Sequence, residues 1–384
     1  MQALNVLVIG GGPGGLFFAM LLKRAEPSHQ IIVVEQNGAE TTYGFGVGFS
    51  DNALALVRDA DADLHRAIIS AAEHLKSITI VHNGVRIRIS GNNFYGIERI
   101  RLLALLRERA LAAGVVLVNN YAVTACDDFA GADLLVGADG ANSIVRRTFA
   151  NGFDFMTSPC RNMWIWYGTD RTSDGIELIF QKTEGGLFIG HTYRYGTDRN
   201  TFVVECSPET WRAAGLDKMA EHESIRYCNS VFLEFLGTHS LISNRSSWFN
   251  PKIIKTKRWV NGRATLIGDA LKTMHPSIGS GTRAAMQDAL ALVEACVEHA
   301  GDVDAALASY EHRMRPVAEK MQATAIRSVG WYETVHERLD LEPIEFAYDY
   351  MTRTGKVKHS RIRQMDPSFS DRYEHFVKEK GARS

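Results

Sequence analysis

Cysteine is scarce in this chain: Cys126, Cys160, Cys206, Cys228 and Cys296 are all there are in 384 residues, odd in number and with no C-x-x-C pair. A disulfide framework is excluded, no metal site is expected, and a reducing cytoplasm is the expected compartment. An excess of one charge is also missing. With 43 Lys+Arg against 44 Asp+Glu, the net charge of -1 argues against a nucleic-acid partner, whose phosphates call for a basic surface. A membrane-length apolar run is lacking too. Met1 to Leu22 has no charged side chain, but Gly10-Gly11-Gly12-Pro13-Gly14-Gly15 breaks it, and neither a basic leader nor an A-x-A-like cleavage site accompanies it. It reads as buried strand, turn and buried helix, with no membrane partner expected. The absence of H-E-x-x-H, of a Walker A loop and of G-x-S-x-G argues against zinc hydrolysis, P-loop phosphoryl transfer and α/β-hydrolase chemistry. There is no internal repeat and no low-complexity segment.

What is present is 45% apolar residues, enough for two or three units with filled cores. Asn5 to Ile9 is a short apolar run, Leu16 to Arg24 has helical spacing, and Ile31 to Glu35 is a second buried strand, which together open a doubly wound α/β unit. Ser77 to Ile89 alternates as a strand pair about Asn83-Gly84, and Arg99 to Ala113 is helical. Met163 to Tyr167, Ile176 to Lys182, Leu187 to Tyr195 and Thr201 to Cys206 are β-rich and predict an antiparallel sheet. Parallel-type signals resume at Arg263 to Gly268, with a helix from about Arg283 to Glu298. The expected fold class is α/β: a Rossmann-like dinucleotide unit (1–75, 97–158 and 250–330) interrupted by an antiparallel-sheet unit (76–96 and 159–249), then a helical segment at 331–384.

Three motifs carry the chemistry. In Gly10-x-Gly12-x-x-Gly15, glycine allows the tight turn and lets backbone N–H groups approach a pyrophosphate at a helix N-terminus. Glu35, ending the second strand, would accept the ribose hydroxyls, with Gln36 beside it. The second is Gly137-Ala138-Asp139-Gly140-Ala141-Asn142-Ser143-Ile144-Val145-Arg146; in isolation its Asp-Gly is an ordinary turn. The third runs from Gly268-Asp269 through His275-Pro276 to Gly279-Ser280-Gly281-Thr282, which opens a helix carrying Asp288. Asp269 is placed to accept from ribityl hydroxyls, and the amides of Gly279 to Thr282 aim beyond the helix N-terminus.

In order and spacing, these motifs resemble the group A, single-component FAD-dependent aromatic monooxygenases of the p-hydroxybenzoate hydroxylase class. Arg99-x-x-Leu102-x-x-x-Leu106 is similar to the family's helix whose arginine reaches the FAD. The resemblance implies bound FAD, transient NADH or NADPH, and O2 as co-substrate through a flavin C4a-hydroperoxide. It also implies that Asp139 serves the FAD pyrophosphate, that His275 and Pro276 adjoin the flavin, and that the reacting edge lies before the Gly281-Thr282 helix. Arg283 stands where the family usually has Asn, and would reinforce the positive potential there.

That departure, with Gly44 to Asp51 and the tail from Trp331 to Phe369, resembles the salicylyl-CoA 5-hydroxylase and 2-aminobenzoyl-CoA monooxygenase branch. Trp166 to Thr169 and Phe202 to Ser207 also resemble the violacein-pathway hydroxylase of a tryptophan-derived indole. An aromatic small-molecule substrate is expected, as a CoA thioester in the first case and an indole or free phenol in the second. The expected assembly is a monomer or homodimer. Trp164-Ile165-Trp166 imitates a halogenase W-x-W, but Tyr167-Gly168 follows where Ile-Pro belongs, and a non-enzymatic flavin-sequestering protein is a further alternative. Tyr43 to Ser50 is an irregular Gly-rich loop whose part Gly44 to Ser50, with Val47, Gly48 and Phe49, resembles the segment beside the isoalloxazine; Tyr167, His191 and Tyr193 are candidates for the ring pocket. His191 fits equally as a core residue with a satisfied polar tip. Arg353, Lys356, Lys358, Arg361 and Arg363 read either as a solvated face or as a grip on CoA phosphates.

Overall fold

The computed structural model describes residues 3–41, 44–124 and 131–383; Cys126 and Tyr43 lie outside the described residues. The apolar run Asn5–Ile9 is the centre of a six-stranded sheet, paired in parallel with Gln30–Val34 on one side and Leu134–Gly137 on the other. Val116–Val118 continues it beyond the first, and Ala264–Leu266 then Val260–Asn261 beyond the second. Such a parallel sheet is buried on both faces, which is why these strands are nearly all apolar. Helix Pro13–Ala25 starts on Pro13, whose missing N–H costs nothing at a first turn, and packs against Arg99–Ala113 and Gly281–Glu298.

The second sheet has eight strands, in the order Leu241–Ile242, Met163–Thr169, Arg199–Cys206, Gly186–Gly196, Ile176–Thr183, Glu73–His82, Val85–Glu98 and Gly46–Ser50. Asn83 and Gly84 both adopt positive φ (51° and 74°), the tight turn that joins Glu73–His82 to Val85–Glu98. Two expectations change here. The sheet is not wholly antiparallel: Ile176–Thr183 pairs in parallel with Glu73–His82, because the chain crosses to the nucleotide unit and back between these strands. Gly46–Ser50, expected as a loop of the nucleotide unit, is an edge strand paired with Val85–Glu98. Its glycines permit this, since a Cβ on Gly46 would stand 2.4 Å from the Tyr195 Cβ.

Gly281–Glu298 leads into Val303–Glu333, a helix that runs through the expected boundary at residue 330, and the tail follows as Pro343–Thr352, His359–Met365 and Pro367–Arg383. This tail buries Phe346, Tyr350, Met351, Ile362 and Phe369 against the face of the eight-stranded sheet that carries Ile78, Ile80, Leu178 and Phe180. Among the described residues no helix is long and apolar enough to cross a membrane, and the four cysteines are free.

Candidate active site

Where the nucleotide sheet meets the larger sheet, all three sequence motifs come together, Gly10 against Ala138 and Arg146 against Ala270, and the space in front of them is the candidate recess. Gly10 leaves the first strand at φ 110°, and a Cβ there would lie 2.3 Å from the Ala138 carbonyl oxygen; one on Gly15 would lie 2.1 Å from that of Gly10. Both glycines are therefore demanded by packing. Gly12 differs, because a Cβ on it would meet no atom within 4 Å, and the helix N-terminus it precedes has no side-chain cap. That is a surface a pyrophosphate can approach closely. Glu35 is held at the edge of this turn, accepting from the Gly11 N–H at 2.8 Å and from the Asn37 N–H and Nδ2 at 2.9 and 2.7 Å. Gln36 beside it is exposed.

The central motif is partly a cap. Asp139 Oδ2 accepts from the Ile144 N–H at 2.6 Å, as an Asp before a helix does, while its Oδ1 is buried without a partner and burial raises its carboxyl. Arg146 ends the motif by donating to the Ala270 carbonyl at 2.6 Å, which ties it to the late motif. There Gly268 takes φ 60° and donates its N–H to the buried Asp288 Oδ2 at 2.9 Å, and Asp288 is paired with buried Lys272. These bonds aim Asp269, whose free surface opens inside the protein mass. Burial pushes its carboxyl up to about 6, opposed chiefly by Arg99. The Arg99 guanidinium is lowered by burial and favoured by Asp269, Tyr193 and Glu35, so this cation stands where the motifs converge.

Gly279 and Gly281 likewise leave open space where a Cβ would go, before the uncapped N-terminus of Gly281–Glu298; Thr282 and Arg283 form its first turn. No acidic residue occupies that turn, so the helix field favours negative charge in front of it. Pro276 is exposed in the 3-10 turn Pro276–Ile278. His275 departs from expectation. It is 2% exposed, its Nδ1 accepts from the Ser277 N–H at 3.2 Å, its ring meets Trp164 edge-on at 5.0 Å, and burial drops its imidazole to about 4. His275 is thus a neutral peg for the turn and not part of the recess surface.

The larger sheet closes the recess with one face. Alternation along Met163–Thr169 puts Trp164 and Trp166 on that face and Met163, Ile165 and Tyr167 on the other. Tyr167 is a correction: it is fully buried against helix Glu221–Val231, its hydroxyl 3.1 Å from Ser224 Oγ, and does not line the recess. Val47 and Phe49 also turn into the core of the nucleotide unit, whereas a Cβ on Gly48 would meet no atom within 4 Å. Tyr193 donates to the Gly46 carbonyl at 2.8 Å, which fixes this edge strand, and burial pushes its phenol up to about 12.

His191 is 2.9 Å from Glu205 Oε2, while Asn162 donates to Oε1 at 2.7 Å. The His191 ring lies beside Trp164 at 5.0 Å and Tyr332 at 5.2 Å. Glu205, 1% exposed, was not among the expected site residues; the available signal was one carboxylate within the apolar strand Phe202-Val203-Val204-Glu205-Cys206. The indole Nε1 atoms of Trp164 and Trp166 are buried and unpartnered.

A family model described as FAD binding domain matches residues 127–325. Salicyloyl-CoA 5-hydroxylase of a Streptomyces species is 36% identical over 382 residues, 96% of this chain and 73% of that protein. This chain belongs to the group A FAD-dependent aromatic monooxygenases. Protodeoxyviolaceinate monooxygenase of Chromobacterium violaceum is 34% identical over 91% of this chain and 94% of its own length. A 3-hydroxy-4-methyl-anthranilyl-[aryl-carrier protein] 5-monooxygenase of Streptosporangium sibiricum is 34% identical over 92% and 95%. Among solved structures, the tetrameric form of 2-methyl-3-hydroxypyridine-5-carboxylic acid oxygenase superposes with a TM-score of 0.71 over 92% of this chain and 96% of that one. At 19% identity that likeness speaks for the fold. As in this group generally, the protein is a flavoprotein oxidoreductase that hydroxylates aromatic substrates.

Proposed function

We propose that this protein uses NAD(P)H and O2 to hydroxylate the ring of an aromatic acyl thioester, of which salicyloyl-CoA is the representative. The observation that carries the reading is the recess itself: Asp269 and Arg99 on one wall, an uncapped helix N-terminus beside them, and an aromatic sheet face opposite. These residues fit FAD. Gly12 admits its pyrophosphate, Glu35 its adenosine ribose and Asp269 its ribityl chain. When bound, FAD supplies the electron transfer and the activation of O2.

The protein's own share is geometry and field. The Ser280–Arg283 turn supplies positive potential, and half-buried Trp166 and His191, with the open space at Gly48, are the surface proposed for a flat aromatic ring. The thioester reading is supported by two relatives named for thioester-linked or carrier-linked aromatic acyl groups. A salicylate-like ring carries an activating hydroxyl para to the carbon attacked, so no strong base is required. The indole reading is favoured by the 34% identity to protodeoxyviolaceinate monooxygenase over most of its length. Aerobic turnover of salicyloyl-CoA, 2-aminobenzoyl-CoA, free salicylate and indoles, with chloride and bromide present and products read by mass spectrometry, separates them. The expected result is a thioester gaining one oxygen and no halogen. Preferential oxidation of an indole transfers the assignment to the second reading, and a halogenated product overturns both.

A further inference from the structure

The tail, the long helix and the first turn of Gly281–Glu298 bring four cations together. Lys320 and Arg327, both exposed, stand seven residues apart on Val303–Glu333 and so share a face. The segment after Pro343–Thr352 docks onto that face. Arg327 Nε donates to the Thr354 carbonyl at 2.7 Å, and Arg353 is fixed by Ser328 Oγ at 3.1 Å, the Ser277 carbonyl at 3.2 Å and the Tyr350 carbonyl at 2.9 Å. Lys356 is thereby placed within the fields of Arg283, Lys320 and Arg327; partial burial, then these three charges, hold its ammonium below the ordinary range.

Arg283 links the group to the active site, being in the first turn of Gly281–Glu298. Its Nε is buried and unpartnered, as are Ser280 Oγ and Gln287 Oε1 at helical spacing on the same side. No ion pair involves Arg283, Lys320, Arg327 or Lys356 among the described residues, whereas Arg363 farther along meets Asp371 and Glu374. Like charges gathered without a carboxylate repel, and a bound anion relieves that repulsion. The tail reading from sequence changes accordingly: Arg353 is a structural anchor and Arg363 is paired, while Lys356 keeps its place and gains three partners from two helices.

We propose that Arg283, Lys320, Arg327 and Lys356 form the site for the phosphates of a CoA-type nucleotide that carries the aromatic thioester. This rests on the proposed function and names the part of the substrate it left open. A diphosphate and a 3′-phosphate present several charges at once, which suits two guanidinium forks and two ammonium groups. The test uses FAD-loaded enzyme and one salicyloyl group on three tails: CoA, 3′-dephospho-CoA and pantetheine. KM should rise along that series, about ten-fold or more overall, and the ratio should fall below about three in Lys320→Ala/Lys356→Ala. Calorimetry with adenosine 3′,5′-bisphosphate should show binding that weakens with salt and is about ten-fold weaker in the double variant. Both replaced side chains are on the exposed surface, and Arg327 is left to hold Thr354.

Turnover that is blind to the tail, or bisphosphate binding unchanged by the substitutions, overturns the site while leaving the thioester reading intact. If no thioester is turned over yet the bisphosphate binds at these lysines, the functional reading fails and the phosphate site stands. A higher KM for NAD(P)H in the double variant, with the thioester KM unchanged, assigns the cluster to the reductant and overturns the proposal.

Discussion

The two walls of the recess are built by different means. On the nucleotide wall the contact surface is backbone: Gly10 is set by its φ and by the Ala138 carbonyl, Gly15 by the Gly10 carbonyl, Gly12 leaves open space between them, and the charges that assist them, Glu35 and Asp269, stand at strand ends. On the ring wall the surface is side chain: Trp166, His191 and Tyr193 project from strands whose reverse faces fill a separate core, with Trp164 buried behind His191. A backbone surface is altered by adding atoms and a side-chain surface by removing them. Glycine substitutions should therefore act on the cofactor, and truncations on the sheet should act on stability and ring selection.

The largest expected effect follows from the 2.1 Å separation between a Cβ on Gly15 and the Gly10 carbonyl oxygen. Gly15→Ala should destabilise the protein by roughly 3 kcal/mol or stop it folding. Soluble yield and the denaturant midpoint report this, and a wild-type midpoint would show that the wall is not set by that approach. On the ring wall, Glu205→Leu removes a buried carboxylate from Asn162 and His191 and should cost about 3 kcal/mol at most while FAD is retained. Loss of flavin from a folded Glu205→Leu protein would erase the distinction between the walls.

A smaller effect is read through pH. His275 titrates near 4 in the folded protein against 6.5 when free, so its contribution to stability is fully present above 6.5 and lost as pH falls through 4. Between about pH 7 and about pH 5 this amounts to about 2 kcal/mol. Unfolding of wild type and His275→Asn at both values should give a difference between their slopes of that size; parallel slopes would place His275 in contact with solvent. Asp269 works in the opposite sense. Its raised carboxyl gives stability present below 3.8 and lost as pH rises through about 6, so Asp269→Asn apoprotein should be relatively more stable at neutral pH while binding FAD more weakly. The smallest effect belongs to Tyr167→Phe, which loses one hydrogen bond to Ser224, about 1 kcal/mol, and should leave the substrate KM unmoved. A changed KM would return Tyr167 to the recess.

The nucleotide wall was largely legible from the amino-acid order, because what makes it is local. A glycine forced by φ, a Pro at a helix start and an acid ending a strand each leave a mark within a few residues, and Arg99–Ala113 and the Asn83-Gly84 turn fall where the pattern puts them. The ring wall was half legible. Alternation says that Trp164 and Trp166 share a face, but which face looks into the recess is decided by helix Glu221–Val231, more than fifty residues along the chain. The same long-range choice turned Tyr167 away, packing against the nucleotide unit did so for Val47 and Phe49, and Glu205 went unnoticed. His275 carried a motif, yet Trp164 and Ser277 determine that it is buried. The basic run was visible, but its useful partners Arg283, Lys320 and Arg327 come from other helices.

Gly12 is the one glycine of the first motif whose missing side chain touches nothing in the protein. FAD titration of Gly12→Val apoprotein beside wild type, with circular dichroism to confirm that both are folded, measures what that space is for. The expected result is a folded variant whose FAD affinity is lower by about a hundred-fold or more, since the new methyls occupy the pyrophosphate's approach. Full FAD occupancy in folded Gly12→Val would contradict it.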